Sequence, residues 1–158
     1  MKRFDINDVV IHAEILEALW TFRAKWHGCK VGEATCACEE SRVLLSDIES
    51  KGSLEVYLNI IDKLLAKIGC ISTEYINFQR RGIGTKLLTE VIKCFHKSDM
   101  DELYGFITAS DEQQTPGLRN WYRKKGFDIL PLKSDCIHSD SDCIPPDSVA
   151  KIIMQKLQ

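Results

Sequence analysis

Gln79-Arg80-Arg81-Gly82-Ile83-Gly84-Thr85 is the stretch of this chain whose residue types are best suited to holding a ligand. Glycines two apart let the backbone approach a bound group closely, and Ile83, Leu87, Leu88, Val91 and Phe95 mark a helix that begins here and runs to about His96. The first amides of a helix have no carbonyl partner within it, and the helix dipole adds positive potential behind them, so the segment suits a phosphate. Arg80, Arg81 and Lys86 place cationic side chains beside it, and a pyrophosphate would meet both directed amides and charge. No Gly-Lys-Ser or Gly-Lys-Thr follows, as a P-loop requires, and the third glycine of a dinucleotide-binding turn is missing. A purely structural turn into a helix is the alternative for the glycine pair taken alone.

A second segment bears on that choice. Leu118-Arg119-Asn120-Trp121-Tyr122-Arg123-Lys124-Lys125-Gly126-Phe127 reads as a short basic helix that ends in glycine and enters a strand. Together with the first segment and the strand expected at Glu102–Ala109, it resembles the GNAT superfamily of N-acetyltransferases. There a Q/R-x-x-G-x-G/A loop binds the coenzyme A pyrophosphate, here Gln79-x-x-Gly82-x-Gly84. An aromatic-Tyr-x-x-x-Gly-Phe ending follows one strand later, here Trp121-Tyr122-Arg123-Lys124-Lys125-Gly126-Phe127. The resemblance is firm from Gln79 to Ile129 and looser around Gly32-Glu33-Ala34 and the closing strand at Val149.

What it implies is an α/β fold with a mixed, largely antiparallel sheet of six to seven strands flanked by about four helices. The sheet would splay between its fourth and fifth strands around the pantetheine arm of acetyl-CoA, the cosubstrate. By position, Gly82, Ile83, Gly84 and Thr85, with Arg80 and Arg81, would hold the pyrophosphate. Ile76, Phe78, Gln79, Thr108, Asn120 and Arg123 would complete the coenzyme contacts, and Arg119, Lys124 and Lys125 extend the basic face near them. A substrate amine would attack the thioester directly, and Tyr122 would protonate the leaving thiolate. A phenol near its reference pKa of ~10 is protonated at neutral pH and can do so. The amine must lose a proton, for which Asp47 and Glu49 are candidates on one alignment, Glu74 on another, and Glu33 from a neighbouring strand. The acceptor would be a primary amine of a small molecule or peptide. Nucleic-acid and membrane partners are not expected, no metal is implied, and a homodimer is compatible with the resemblance.

The elements that must position these groups are read from periodicity. Asn7–Leu19, with Val9, Val10, Ala13, Leu16 and Leu19, has an approximate helical spacing and predicts a first helix. Phe22, Ala24 and Trp26 alternate with polar residues, and Lys30–Cys38 and Arg42–Glu49 continue an antiparallel meander through His27-Gly28-Cys29 and Glu39-Glu40-Ser41. Ser53–Ile68 predicts a second helix with Gly69 at its end, and Cys70–Phe78 is β-rich. After Ala109 a polar loop is expected, then a helix with Thr115 as N-cap and Pro116 in its first turn, and strands at Phe127–Leu132 and Val149–Leu157.

Three departures from the family pattern stand out. The first strand is not evident before Asn7. Thr115, seven residues before Tyr122, stands where many members carry asparagine. The helix at Ser53–Ile68 separates Arg42–Glu49 from the pyrophosphate loop. Residues 51–76 are then an insertion on the substrate side, unless Cys70–Phe78 is the fourth strand.

With 158 residues, 44% hydrophobic and 28% charged, the chain is expected to form a single domain spanning 1–158. A net charge of −2 excludes the bulk basicity of a nonspecific nucleic-acid binder. No long apolar run or signal-like start is present, so a cytoplasmic location is expected. Seven cysteines, an odd number spread over different elements, read as reduced thiols. Cys36 and Cys38 share a strand face and do not bridge, and Cys136-x-His138 with Asp140, Asp142 and Cys143 has no standard zinc spacing. Rival readings are a coenzyme-A-binding module without catalysis and an interaction domain using the apolar face of 53–68.

Overall fold

The computed structural model describes residues 4–50, 78–132 and 144–156. After a 3-10 turn (Ile6–Asp8) come four strands, β1 (Val9–Ile15), β2 (Leu19–Trp26), β3 (Cys29–Glu39) and β4 (Arg42–Ser50). Helix α1 (Ile83–Lys97) leads to β5 (Glu102–Thr108), α2 (Ala109–Gln114), α3 (Leu118–Lys124), β6 (Asp128–Pro131) and β7 (Ser148–Gln155). The strands form one seven-stranded sheet in the order β1-β2-β3-β4-β5-β7-β6. The pairing of β4 with β5 is parallel, whereas β1–β2, β5–β7 and β6–β7 are antiparallel. The expected mixed α/β sheet is therefore present. The helix expected at 53–68, the segment at 70–77 and Cys136–Cys143 lie outside the described residues.

The predicted first helix is instead strand β1. Val9, Val10, Ile11 and Ile15 are β-branched and stiff at χ1, and each residue from Val9 to Ile15 has a partner on β2, from Val9↔Trp26 to Ile15↔Trp20. Leu16 N donates to Leu19 O at 3.0 Å, closing a two-residue turn where the helix would have continued. The first strand that the sequence concealed is thus the sheet's terminal strand.

The described residues cluster in two compact units, the first comprising 4–35, 47–50 and 78–93 and the second 36–46, 94–132 and 144–156. In the first, Phe22, Ala24, Val31, Ile83, Leu87, Leu88 and Val91 are buried to within 1% of complete. A Cβ on Gly32 would lie 2.7 Å from Ile83 Cγ2 and 2.8 Å from Glu49 O, so only glycine lets the start of α1 seat on β3.

In the second unit, Arg42–Leu45 of β4 pair with Glu102–Gly105 of β5. The buried Tyr104 ring takes the Arg42 guanidinium at 4.1 Å and the Lys151 ammonium at 4.8 Å, and Arg42 also pairs with Glu102 at 3.0 Å. The polar loop expected after Ala109 contains α2. Thr108 is its N-cap: the Thr108 hydroxyl accepts from Asp111 N, and Asp111 accepts from Thr108 N, a reciprocal capping box. Thr115 closes α2 rather than opening α3, and the N-cap of α3 is Gly117, at φ +85°.

Candidate functional site

The loop before α1 is anchored from within and open outside. Phe78 and Ile83, at its two ends, are almost fully buried, while Gln79, Arg80, Arg81 and Gly82 are exposed. Gly82 has φ +86° and Arg80 φ +55°, a left-handed pair of residues that turns the chain into the helix. Lys86 N bonds Gly82 O at 2.9 Å, so Gly82 already supplies the first helical carbonyl. The first turn of α1 holds no acidic residue. The amides of Ile83 and Gly84 stand at the positive end of a fifteen-residue helix, with no carboxylate of that turn to neutralise them.

A support under this loop went unread in the sequence. Phe4 packs its ring edge-on to Phe78 at 5.3 Å and against Trp26 at 5.6 Å, and the Arg81 guanidinium lies over Phe4 at 5.5 Å. Ile6 lies beneath Gly82, 3.6 Å from where a Cβ would stand. Lys86, expected beside the phosphate, donates instead to the carbonyls of Ile6 at 3.0 Å and Val9 at 2.5 Å. Its ammonium fixes the amino-terminal segment to α1, and the side-chain cations at the loop are Arg80 and Arg81. No local motif announces such contacts, because Lys86 reaches across about eighty residues of sequence.

The second chemistry-bearing segment is placed by α3. Tyr122 is half-buried, its ring edge-on to Trp121 at 4.8 Å and to Phe127 at 5.4 Å. Its carbonyl accepts from Lys125 N at 2.9 Å and Phe127 N at 3.2 Å, and Gly126, at φ +95°, carries the chain into β6. Asn120 Oδ1 accepts from Arg123 Nη1 at 3.1 Å. Both residues line a hollow of about 280 Å³ with Glu112, Gly117, Leu118 and Arg119, where Arg119 pairs with Glu112. Thr108 caps α2 through its hydroxyl, and the Phe78 side chain is core, so a ligand would meet Phe78 through its backbone.

The carboxylates differ in availability. Glu33 accepts from Lys30 at 2.8 Å and Arg23 at 3.1 Å, and the Lys30 hydrogen bond above all holds its carboxyl below the ordinary range. An ion-paired carboxylate of lowered basicity is a poor proton acceptor. Asp47 and Glu49 lie in the second half of β4, two residues apart, and so share one face of it. Glu74 and Ile76 lie outside the described residues. Among the described residues Arg42–Ser50 is the strand beside β5, and the competing segment at 70–77 lies outside them. Among the described cysteines Cys29, Cys36, Cys38 and Cys94 are reduced thiols, and burial, with Cys38 and Cys94 nearby, pushes Cys36 up to about 12.

No protein-family model and no curated protein sequence matches the chain. Solved structures do. A GNAT family acetyltransferase from Elizabethkingia anophelis with acetyl-CoA bound superposes over 95% of this chain and 99% of its own, with a TM-score of 0.57 at 14% identity. PaiA N-acetyltransferase of Thermoplasma acidophilum, in complex with coenzyme A, matches 88% of the chain with a TM-score of 0.53 at 11% identity, and the chain spans 62% of its length. Naa50 of Arabidopsis thaliana, in complex with the bisubstrate analogue CoA-Ac-MVNAL, matches over 86% of this chain and 72% of its own, with a TM-score of 0.53 at 20% identity. The chain has the fold of the GNAT acetyltransferases. Among the described residues no helix is long and apolar enough to cross a membrane.

Proposed function

Starting from the GNAT fold, we propose that the chain is an acetyl-CoA-dependent N-acetyltransferase that moves an acetyl group to a primary amine of a small molecule or peptide. One observation carries the reading: the exposed, acid-free opening of α1, turned by positive φ at Arg80 and Gly82, on the segment that the motif resemblance matches to the family's pyrophosphate loop. In this reading the amides at Ile83, Gly84 and Thr85 and the side chains of Arg80 and Arg81 hold the pyrophosphate. Gln79, the backbone of Phe78 and Ile76, and the polar groups of Thr108, Asn120 and Arg123 complete the coenzyme contacts.

The amine nitrogen attacks the thioester carbonyl carbon, the new C–N bond forms, and the C–S bond breaks with its electron pair leaving on sulfur. Tyr122 gives its hydroxyl proton to that thiolate. The proton lost by the amine passes to a carboxylate, for which Asp47 is favoured, with Glu49 and Glu74 as alternatives and Glu33 set aside by its ion pairs. The bisubstrate complex of the Arabidopsis protein supports a peptide amine as one acceptor class.

Isothermal titration with acetyl-CoA tests this directly. Micromolar binding that is lost in an Arg81→Ala, Gly84→Asp double variant, followed by acetyl transfer in an amine panel, is the expected result. Binding without transfer to any amine would leave a coenzyme-binding module, and no binding by the folded wild type would remove the proposal.

A further inference from the structure

The terminal strand of the sheet carries a surface of its own. Among the described residues five large hydrophobic side chains are exposed, and four of them, Val10 (55%), Ile15 (49%), Leu16 (55%) and Leu19 (44%), belong to the β1–β2 hairpin. Natural edge strands are ordinarily blunted by lysine, proline or a bulge. Val9-Val10-Ile11-His12-Ala13-Glu14-Ile15 contains no lysine, proline or glycine, and its pairing with β2 is regular throughout.

The direction of its backbone groups follows from the hairpin. Leu16 N bonds Leu19 O, so Leu16 and Leu19 are a hydrogen-bonded pair, and alternation along an antiparallel ladder makes Glu14↔Thr21, His12↔Arg23 and Val10↔Lys25 hydrogen-bonded pairs as well. Val9, Ile11, Ala13 and Ile15 therefore turn their N–H and C=O groups away from β2. At Val9 the outward carbonyl is taken by Lys86. The edge that remains runs from Ile11 to Ile15.

We propose that this edge pairs with the same edge of a second copy, antiparallel about a two-fold axis at Ala13, to form a homodimer with a continuous sheet. The sequence is self-complementary in that register. Ile11 meets the partner's Ile15, Ala13 meets the partner's Ala13, and on the other face His12 meets the partner's Glu14, twice over by symmetry. About six backbone hydrogen bonds form between the outward groups of Ile11, Ala13 and Ile15. The register centred on His12 needs the Val9 backbone that Lys86 occupies, and it sets His12 against His12. Arg23, bonded to Glu14 at 2.9 Å, holds that carboxylate on the face where the partner's His12 arrives.

Sedimentation velocity of the full chain over a wide concentration range tests the proposal. A monomer–dimer equilibrium is expected. Ala13→Pro removes an outward donor without touching the ladder to β2, and it should weaken the dimer by about tenfold to a hundredfold. Ile15→Lys, at an exposed position, should do likewise and serves if Ala13→Pro does not fold. His12→Glu sets two carboxylates against each other at each end of the axis and should weaken the dimer. Adding Glu14→His should restore it, since the exchange puts an imidazole and a carboxylate opposite each other again with their strands reversed. A chain monomeric at every concentration overturns the proposal. So does a dimer indifferent to both edge substitutions, or a double exchange no tighter than His12→Glu alone.

Discussion

Three substitutions in the loop separate what glycine does for the fold from what it does for a ligand. At Gly82 an alanine Cβ would sit 3.6 Å from Ile6 Cγ1 and 3.8 Å from its Cδ1, ordinary contact distances, so the cost is the backbone conformation at φ +86°. Holding an L-residue there costs about 1–2 kcal/mol. For a chain of 158 residues that is a fall in Tm of about 2–8 °C. At Gly84 the Cβ would meet only Ile48 Cγ2, at 3.8 Å, and the residue is helical without positive φ. Gly84→Ala should therefore stabilise, by up to about 1 kcal/mol and a rise of at most about 4 °C. It should also bind acetyl-CoA within about threefold of wild type, since the shape of the turn survives and alanine occupies this position in the family pattern. Gly84→Asp has the opposite signature. A carboxylate in the first turn complements the dipole by about 0.3–1 kcal/mol and should leave Tm unchanged or higher. The same charge within about 5 Å of a pyrophosphate, at an effective dielectric of about 20–40, costs about 2–3 kcal/mol of binding, a rise in Kd of about 30–150-fold. Scanning fluorimetry reads the first quantity and isothermal titration the second. A Gly84→Asp protein that is fully folded and binds acetyl-CoA like wild type would mean that no phosphate sits at the opening of α1, and the functional reading would go with it.

Four other outcomes are expected. Tyr122→Phe should lower kcat by about 10²–10³-fold with little change in acetyl-CoA affinity, and unchanged turnover at saturation would take Tyr122 out of the chemistry. Lys86→Met, which strips the charged donor from Ile6 O and Val9 O, should cost about 1–3 kcal/mol in urea unfolding and raise the KM for acetyl-CoA more than it lowers kcat; equal stability would show the bonds to be incidental. Glu33 has a folded-state pKa below the ordinary glutamate value of 4.5, chiefly through Lys30, so its contribution to stability is present above about pH 4.5 and lost as pH falls through the lower folded value. Glu33→Gln should be less stable than wild type at neutral pH and converge with it in acid, and parallel curves would deny the ion pairs that role. Cys36, buried and pushed up to about 12, should resist thiol-specific labelling at pH 8 in the native protein and react once the chain is unfolded; rapid native labelling would contradict its burial.

Sequence reading reached the parts of this fold that local pattern determines. Ile83, Leu87, Leu88, Val91 and Phe95 fall on one side of a helix by spacing alone, and all five are buried in α1. The hairpin strands from β2 to β4 were legible from alternation and turn residues. Strand β1 was not, because Val9, Val10, Ala13, Leu16 and Leu19 satisfy a loose 3.6-residue spacing. What decides between helix and strand there is the two-residue turn and the partners on β2. Helix α2 was legible and passed over: Thr108-x-x-Asp111 is a capping-box signature hidden in a polar stretch. Of the candidate site, the glycine loop stands out by its spacing and Tyr122 by the resemblance to the family's motif. The fate of Lys86 could not be read there, since it is decided by Ile6 and Val9, which only the folded chain brings near, whereas Glu33 is held chiefly by Lys30, three residues away, with Arg23 of the neighbouring strand added by the fold.

On the proposed reading, the loop's affinity for a pyrophosphate and the order of the amino-terminal segment are one problem. A flexible loop would have to be ordered again by each ligand it met. Here the ordering is done beforehand by Phe4 beneath Arg81, Ile6 beneath Gly82, and the Lys86 ammonium drawn onto two carbonyls of the same segment. Lys86 thereby gives up direct contact with a phosphate, and the positive potential at the opening of α1 falls to the helix amides and to Arg80 and Arg81. Directed N–H groups on a preorganised backbone discriminate by geometry, whereas a mobile ammonium would attract anions of any shape. In the proposed reading the amino-terminal turn, which carries no chemistry itself, preorganises the loop for the pyrophosphate.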